Sequence, residues 1–598
     1  MPKTYAETWE WRFDQPPEAV WPALADTSRW NEAAGIPRHA IEEREEDDGA
    51  IRYFGSARIG PLPLRWEEIP VEWVFGTWFR HVRQFLNGPI ATIDATLSLA
   101  ADGPGTLATY RLAAAPRGPL GHALLSTAFF PACRKNFTGL ADGVRDWLEG
   151  RRAGPFASKL KPLDVARRGR LERAVAAVEA GPDGHGLAPR LAEWLATAQE
   201  VDQMNMRPLA LARAWGADDQ ATVEMFLAAV DAGLLDQQWD LLCPRCRGAK
   251  ATATALDRLP AESHCGACNI DYERDFAKNV ELSFRPNPAI RDVPDGEYCL
   301  FGPMTTPHIR VQVGVEPGET RAVAATLAAG PYRLRTLQVG DEVEIEHDGR
   351  SFPDVVFDGA DVRTGGPGAA GEIVFRNDGP RRRTMIVESL AWTADALTAH
   401  RATTLQAFRD RFGDEVLRPG DNAAVGRIAL MFTDLGGSTA FYERVGDAHA
   451  YAVVRDHFEL LAATVRTHGG AVVKTIGDAV MAAFPEPAHA VAAALDIQGR
   501  VAAFNDGHAD DDALVIKVGV HAGPVIAVTL NRRLDYFGST VNLAARLEGQ
   551  SHGGDIVVSL AVADDPEVAT VLDGIAAARE VAQVRGIADP VAFVRLRP

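Results

Sequence analysis

The sequence predicts a multidomain α+β protein, and three observations carry that expectation. The chain has 598 residues, and at about 150 residues per domain one hydrophobic core would not hold it. Period-two apolar alternation dominates the start and the stretch from about 296 to 390, whereas helical spacing dominates between them and near 400. Two Cys-x-x-Cys pairs mark a small unit in the middle. The expected divisions are 1–150, 151–240, 241–295, 296–392, 393–420 and 421–598.

Composition narrows the function classes. Hydrophobic residues make up 46% and charged residues 24% of the chain, the balance of a globular protein. The net charge of −19 sets the molecule as a whole against nucleic acid and anionic membranes. The basic stretch from Arg151 to Arg173 reads as a solvated linker and helix face. The N-terminus lacks the basic-then-apolar pattern of a secretory signal, and no apolar run approaches the ~20 residues that cross a bilayer. Paired cysteines suit metal binding in a reducing compartment, so a cytoplasmic location is expected.

In 1–150, Tyr5, Trp9, Trp11 and Phe13 share one face of a half-buried strand, with Glu7 the exception. Pro16 and Pro17 open a helix carrying Val20, Trp21 and Leu24, which ends before Asp26–Thr27–Ser28. Aromatic-rich strands follow. Leu125, Phe129, Cys133, Phe137, Leu140, Val144 and Trp147 then form one long helical stripe. This order, with Glu18–Ala19–Val20–Trp21 and Ala25–Asp26, resembles the START-like polyketide-cyclase/dehydrase superfamily. The resemblance implies a helix-grip fold, in which the space between sheet and helix is either a cavity for an apolar small molecule or a filled core. No catalytic constellation is visible in this segment.

Residues 188–236 read as short helices, with a turn at Gly216–Ala217–Asp218–Asp219, and resemble a winged-helix unit. The second helix opens with Asp218 and Asp219 and carries Glu224, which opposes a DNA-reading role. Cys243 and Cys246 are followed, after 18 intervening residues, by Cys265 and Cys268. Two such knuckles supply four thiolates to one tetrahedral zinc ion and leave no open position, so a structural zinc ribbon is expected. His264, beside Cys265, reads as a bystander. Runs such as His308–Val313 and Glu372–Arg376, punctuated by Gly, Pro and Asp, predict a β-sandwich-like unit over 296–392. Leu405, Phe408, Phe412 and Val416 predict a stalk helix within 393–420.

The richest chemistry lies in 421–598. Arg427–Phe432 is a nearly continuous apolar run, the mark of a buried strand, and it ends at Thr433–Asp434. An ionised carboxylate there is costly unless a cation or hydrogen bonds compensate it. Gly436, Gly437, Ser438 and Thr439 follow, at a helix N-terminus where backbone N–H groups can approach phosphate oxygens. Gly470–Ile476 and Ala479–Phe484 form a hairpin turned at Gly477–Asp478, which would bring Asp478 near Asp434. Two carboxylates and a substrate triphosphate could together hold a pair of magnesium ions.

Phe432–Thr439, Lys474–Asp478, Val518–Gly523 and Leu534–Glu548, in that order, resemble the class III adenylate/guanylate cyclases over essentially all of 427–598. With its START-like and zinc-ribbon segments, the whole arrangement resembles multidomain bacterial cyclases. The resemblance implies a ferredoxin-like catalytic core that works as a homodimer, the site being shared between subunits. It assigns Asp434, Asp478 and the Leu435 carbonyl to two Mg²⁺ or Mn²⁺ ions, and Lys474 with Asp535 to adenine. Asn542 would orient the ribose and Arg546 would bind the α-phosphate. Arg585 stands where the family has a phosphate-binding lysine, keeping the charge but changing the geometry. His521 matches a family position yet reads as core. The implied function is an adenylate cyclase making cyclic AMP and pyrophosphate from ATP, under the control of the upstream domains. A guanylate cyclase, a decayed cyclase-fold binding module and a zinc-ribbon transcription factor are the competing readings.

Overall fold

A computed structural model describes residues 4–45, 51–59, 62–265, 268, 270–294, 296, 298–299, 302–390, 396–413, 423–506, 513–530, 533–587 and 589–598. Tyr5–Phe13 pairs antiparallel with Gly105–Pro116 along its whole length. Trp11 and Phe13 turn inward onto Phe137, Ala141 and Val144 of the helix Phe130–Leu148, which the sheet wraps. Glu7, the break in the alternation, sits on that inner face because Arg134 of the helix meets its carboxylate at 2.9 Å. Asp26 accepts a hydrogen bond from the Arg29 N–H at 3.0 Å and so caps a further helix, Thr27–Ala34.

The space between this sheet and its helix is largely filled. Trp11, Trp30, Tyr110 and Phe137 stack against one another with ring centroids 5.4–6.1 Å apart. What remains beside Leu97 and His81 is about 30 Å³, room for one water. Of the two readings, an apolar-ligand cavity and a filled core, the structure has the filled core: four large rings occupy the volume that a lipid would need.

The sheet does not stop at residue 150. Val74 and Trp73 at the end of Leu62–Val74 pair with Val311 and Gln312 of Ile309–Val315. The strands Ile309–Val315, Arg383–Ser389, Gly330–Thr336 and Val343–His347 thus extend it to an 11-stranded sheet. A second sheet, Thr320–Ala324, Glu372–Asn377, Ser351–Asp358 and Asp361–Ala370, packs its Val355 and Phe375 over Val311, Val313 and Leu334. The sandwich thus shares one layer with the N-terminal unit.

Between them lie five helices, Val165–Ala180, Ala188–Thr197, Glu200–Met204, Pro208–Trp215 and Asp219–Asp231, and the three-stranded sheet of Leu235–Leu242, Ala249–Ala253 and Val280–Pro286. The cysteine knuckles project from this sheet. Their four sulfurs lie within 4.8 Å of one another and pack on Tyr53, Ile41 and Ile51 of the N-terminal sheet. Cys246 Sγ and Cys265 Sγ are 3.7 Å apart, close to the edge of about 3.8 Å that a tetrahedron with 2.3 Å Zn–S bonds has. The cluster fits zinc. His264 is exposed and pairs with Asp271 at 2.9 Å, away from the sulfurs.

The expected stalk is instead two short docked helices, Ala399–Thr403 and Gln406–Phe412. The Thr403 and Thr404 hydroxyls donate back to carbonyls of residues 399–401, an interaction that bends or ends helices. Leu405 and Phe408 are buried against the last domain and the middle region. Residues 391–395 and 414–422 of that segment lie outside the described residues.

From Ala423 the chain runs strand, two helices, strand, strand, helix, strand, in the sheet order Ala471–Ile476, Ala479–Phe484, Ala423–Leu435, Ile516–Leu530. This is the ferredoxin-like βαββαβ arrangement. Alternate residues of the central strand explain its two coverings. Ala429, Met431 and Leu435 face the helices Asp447–Thr467 and Pro487–Asp506. Ile428, Leu430 and Phe432 face Phe408, Phe276 and Leu397 of the upstream region. Among the described residues no helix is long and apolar enough to cross a membrane.

Candidate active site

The end of the central strand collects negative charge. Asp434 lies opposite Lys517 in the antiparallel register, and Lys517 Nζ approaches Asp434 Oδ2 at 3.8 Å. Gly477, at φ +65, makes the tight turn of the neighbouring hairpin possible and brings Asp478 alongside. Thr433 pairs with Val480, which fixes that hairpin against the central strand. Burial and the Asp478 charge raise the Asp434 carboxyl above its ordinary range, Lys517 opposing them. Asp478 Oδ2 is buried with no hydrogen-bond partner among the described residues.

A third carboxylate joins the cluster. Glu548 ends the helix Ser539–Glu548, and its Oε1 is also buried without a partner among the described residues. Burial first, and then Asp434 and Asp478, push Glu548 up to about 7, with Lys517 opposing. Orphaned acceptors and raised carboxyls around a lone opposing lysine form a donor set that fits a divalent cation. Between pH 4.5 and 7 the native Glu548 holds a proton that the unfolded chain has released. Stability present below pH 4.5 is then lost as the pH rises to 7. Glu548→Gln should flatten that decline, read as the thermal midpoint against pH in EDTA.

The backbone beyond Asp434 turns sharply. The Gly436 N–H donates to the Val515 carbonyl at 2.7 Å, and Gly437 adopts φ +71 at the start of the helix Ser438–Val445. No side chain caps that helix N-terminus. The Thr439 side chain lies outside the described residues.

A second cluster is built on the strands Ala471–Ile476 and Arg533–Phe537. Lys474 Nζ donates to Asp535 Oδ2 at 2.6 Å, and Asp535 is only 6% exposed. Asp535 Oδ1 accepts from the Tyr536 N–H at 2.7 Å. A bulge between Val472 and Lys474 redirects the strand just before the lysine. Asn542 and Arg546 occupy the outer face of Ser539–Glu548, exposed, while Ala544 and Leu547 anchor its inner face. Arg585 is exposed on the turn before Gly586, and no hydrogen bond or ion pair among the described residues joins it to either cluster. His521 is held low, to about 4, by burial, and its Nδ1 lies 2.8 Å from Ser559 Oγ.

The sequence reading gave no role to Lys517 and Glu548, nor to the bracing from upstream. The Val472 N–H donates to Gln406 Oε1 at 2.8 Å, two residues before Lys474. Arg409 Nη1 donates to the Leu534 carbonyl at 2.9 Å and its guanidinium lies over the Tyr536 ring, so it grips both neighbours of Asp535. Further out, Asp183 bridges Arg411 and Arg466, and Glu224 pairs with His185 at 2.8 Å. Asp183, His185 and Glu224 converge closely, but the two guanidinium groups already supply the cationic partner.

Comparison with known proteins places these observations. Residues 421–582 match the adenylate and guanylate cyclase catalytic domain, and residues 184–297 match a family of unknown function, DUF5939. An adenylate cyclase of Lachancea kluyveri is 35% identical over 173 residues, covering 25% of this chain and 9% of that protein. A guanylate cyclase of Rattus norvegicus is 31% identical over 136 residues, covering 21% of this chain and 12% of that protein. The chain therefore spans only a small fraction of these relatives' length. A crystal structure of an adenylyl cyclase from P. aeruginosa is 22% identical, covers 29% of this chain and 95% of that chain, and has a TM-score of 0.26. The C-terminal part of this chain is a class III adenylate/guanylate cyclase catalytic domain.

Proposed function

We propose that the protein is an adenylate cyclase: it closes ATP to 3′,5′-cyclic AMP and releases pyrophosphate. The observation that carries the reading is the Lys474–Asp535 pair, set on the same sheet as the Asp434–Asp478–Glu548 cluster. Adenine presents an acceptor at N1 and a donor at N6, and a lysine beside a carboxylate offers the complementary pair. Guanine presents the reverse on that edge.

Asp434, Asp478 and the Leu435 carbonyl would hold two Mg²⁺ or Mn²⁺ ions. Bound there, such ions would acidify the ribose 3′-hydroxyl and neutralise the triphosphate and the departing pyrophosphate. Gly436, Gly437 and Ser438 offer an uncapped helix N-terminus to phosphate oxygens. Asn542 would hold the ribose, and Arg546 would meet the charge growing on the α-phosphate as the 3′-oxygen attacks phosphorus. Both are exposed in the single chain, as residues completing a site across a homodimer would be. Arg585 is retained as a phosphate contact.

The contacts of Gln406, Arg409 and Arg411 support control from upstream, because they join the middle region to the strands carrying Lys474 and Asp535. The sheet wrapped on Phe130–Leu148 supports the helix-grip reading of the N-terminal unit, with a filled interior.

The test is product formation from ATP and GTP with Mg²⁺ or Mn²⁺, beside Asp434→Ala. Cyclic AMP from the wild type alone is the expected result, and cyclic GMP would overturn the role of Lys474 and Asp535. Asn542→Ala and Arg546→Ala should each lower turnover by about a hundredfold. Their melting curves should stay within about 0.5 kcal/mol of wild type, because exposed side chains are being trimmed. Lys474→Glu combined with Asp535→Cys should shift the product ratio towards cyclic GMP, read by chromatography of mixed-substrate reactions.

A further inference from the structure

One cavity lies neither in the cyclase domain nor inside the N-terminal sheet. It is a cleft of about 670 Å³ where the N-terminal unit meets the helices of the middle region. Trp147 and Phe156 line it from the N-terminal side and Trp194 and Trp215 from the middle region, together with Arg152 and Arg190. The volume falls within the 300–1,000 Å³ of small-molecule sites. Three half-buried indoles on one cleft are unusual for a surface left to water, since each offers a broad apolar face.

The charges in the cleft are unequal. Arg29 at its edge is answered by Asp202 at 2.6 Å and Asp26 at 3.5 Å. Arg152 and Arg190 have no carboxylate partner among the described residues. Arg190 gives one N–H to the Trp215 carbonyl at 2.6 Å and keeps its other donors. Arg152 lies against Gly143 of the long helix, where a methyl group would come within 2.7 Å of its Nη1 and 2.8 Å of the Pro155 carbonyl. Glu193 is the one lining carboxylate without an ion-pair partner there.

The geometry points to a binding site for a planar aromatic anion. Its ring would lie among Trp147, Trp194, Trp215 and Phe156. Its carboxylate or phosphate would meet Arg152 and Arg190. The site is separate from the cyclase chemistry and does not depend on it. Its middle-region side does reach that domain: Trp215 packs on Phe226 with ring centroids 6.4 Å apart, and the same helix carries Glu224 towards Arg466.

The experiment is isothermal titration of the full chain with naphthalene-1-acetate, with its neutral amide, and with AMP. Saturable binding of at least one anion at millimolar concentration or tighter is expected, with the amide about tenfold or more weaker than the acid. Acetate in preference to AMP would identify a carboxylate ligand, and the reverse a phosphate. Arg152→Ala with Arg190→Ala should lower affinity by about tenfold or more, and Trp194→Ala, which removes one lining ring, should lower it severalfold. Melting curves without ligand verify that the variants fold. Three results overturn the proposal: no saturable heat with any anion, equal affinity for acid and amide, or variants that fold and bind as the wild type does.

Discussion

Asp478→Asn should abolish cyclic-nucleotide production while leaving the protein at least as stable as before. The two effects have one electrostatic origin. Asp478 raises the Asp434 carboxyl, both raise Glu548, and Lys517 at 3.8 Å opposes them incompletely. In the absence of a divalent cation the cluster repels itself, and Asp478 Oδ2 is buried with nothing to accept from among the described residues. An amide of the same shape removes one negative charge, so the melting temperature in EDTA should hold or rise. The same change removes a proposed metal ligand, and turnover should fall by at least about a hundredfold. Mn²⁺ should raise the thermal midpoint of the wild type and leave that of the variant nearly unmoved, by linkage to a site that the variant lacks. Turnover at the wild-type rate would sink the assignment. A large destabilisation in EDTA would instead make Asp478 a structural residue.

How much of this was legible in the sequence depends on how far each feature reaches along the chain. The strand ending at Asp434 and the turn at Gly477–Asp478 are local patterns, and the tight turn sets the hairpin's own pairing. Glu548 is legible only in part. It lies two residues beyond Arg546, about 200° around the helix, so it must face away from Arg546. Which side meets the carboxylates is a tertiary fact. Lys517 is set opposite Asp434 by pairing across more than eighty residues, with no local sign. The stalk failed for a different reason. Leu405, Phe408 and Phe412 keep helical spacing, but Thr403 and Thr404 bind their own preceding turn, so the helix before them ends and does not join Gln406–Phe412. Aromatic patterning marked the N-terminal core correctly, yet pattern carries no volume, and Trp11, Trp30, Tyr110 and Phe137 fill the space that a cavity would need. The continuation of that sheet through Val74 and Val311 rests on an open strand edge, which sequence spacing does not report.

Cys265→Ser should be the most destabilising single substitution in the middle of the chain. The four thiols crowd one point, and without a cation their buried sulfurs gain no partner except each other. In small zinc modules the metal contributes about 10–16 kcal/mol to folding. Even about 5 kcal/mol here would lower the unfolding transition of this region by roughly 10 °C or more. The effect should spread, because the knuckle is a junction. Arg245, between Cys243 and Cys246, pairs with Glu342 of the sandwich at 2.9 Å, and its carbonyl accepts from His308 Nε2 at 3.0 Å. Tyr53 of the N-terminal sheet, 1% exposed, packs on the sulfurs from the other side. Elemental analysis should find about one zinc per chain in the wild type, consistent with a closed four-cysteine site. Calorimetry should show the N-terminal and sandwich transitions moving down together in the variant. A wild type that purifies without zinc and melts as Cys265→Ser does would reduce the cluster to a packed group of thiols. A wild type with zinc whose sandwich transition stays fixed in the variant would confine the zinc to its own hairpin and remove Arg245 and Tyr53 from the junction.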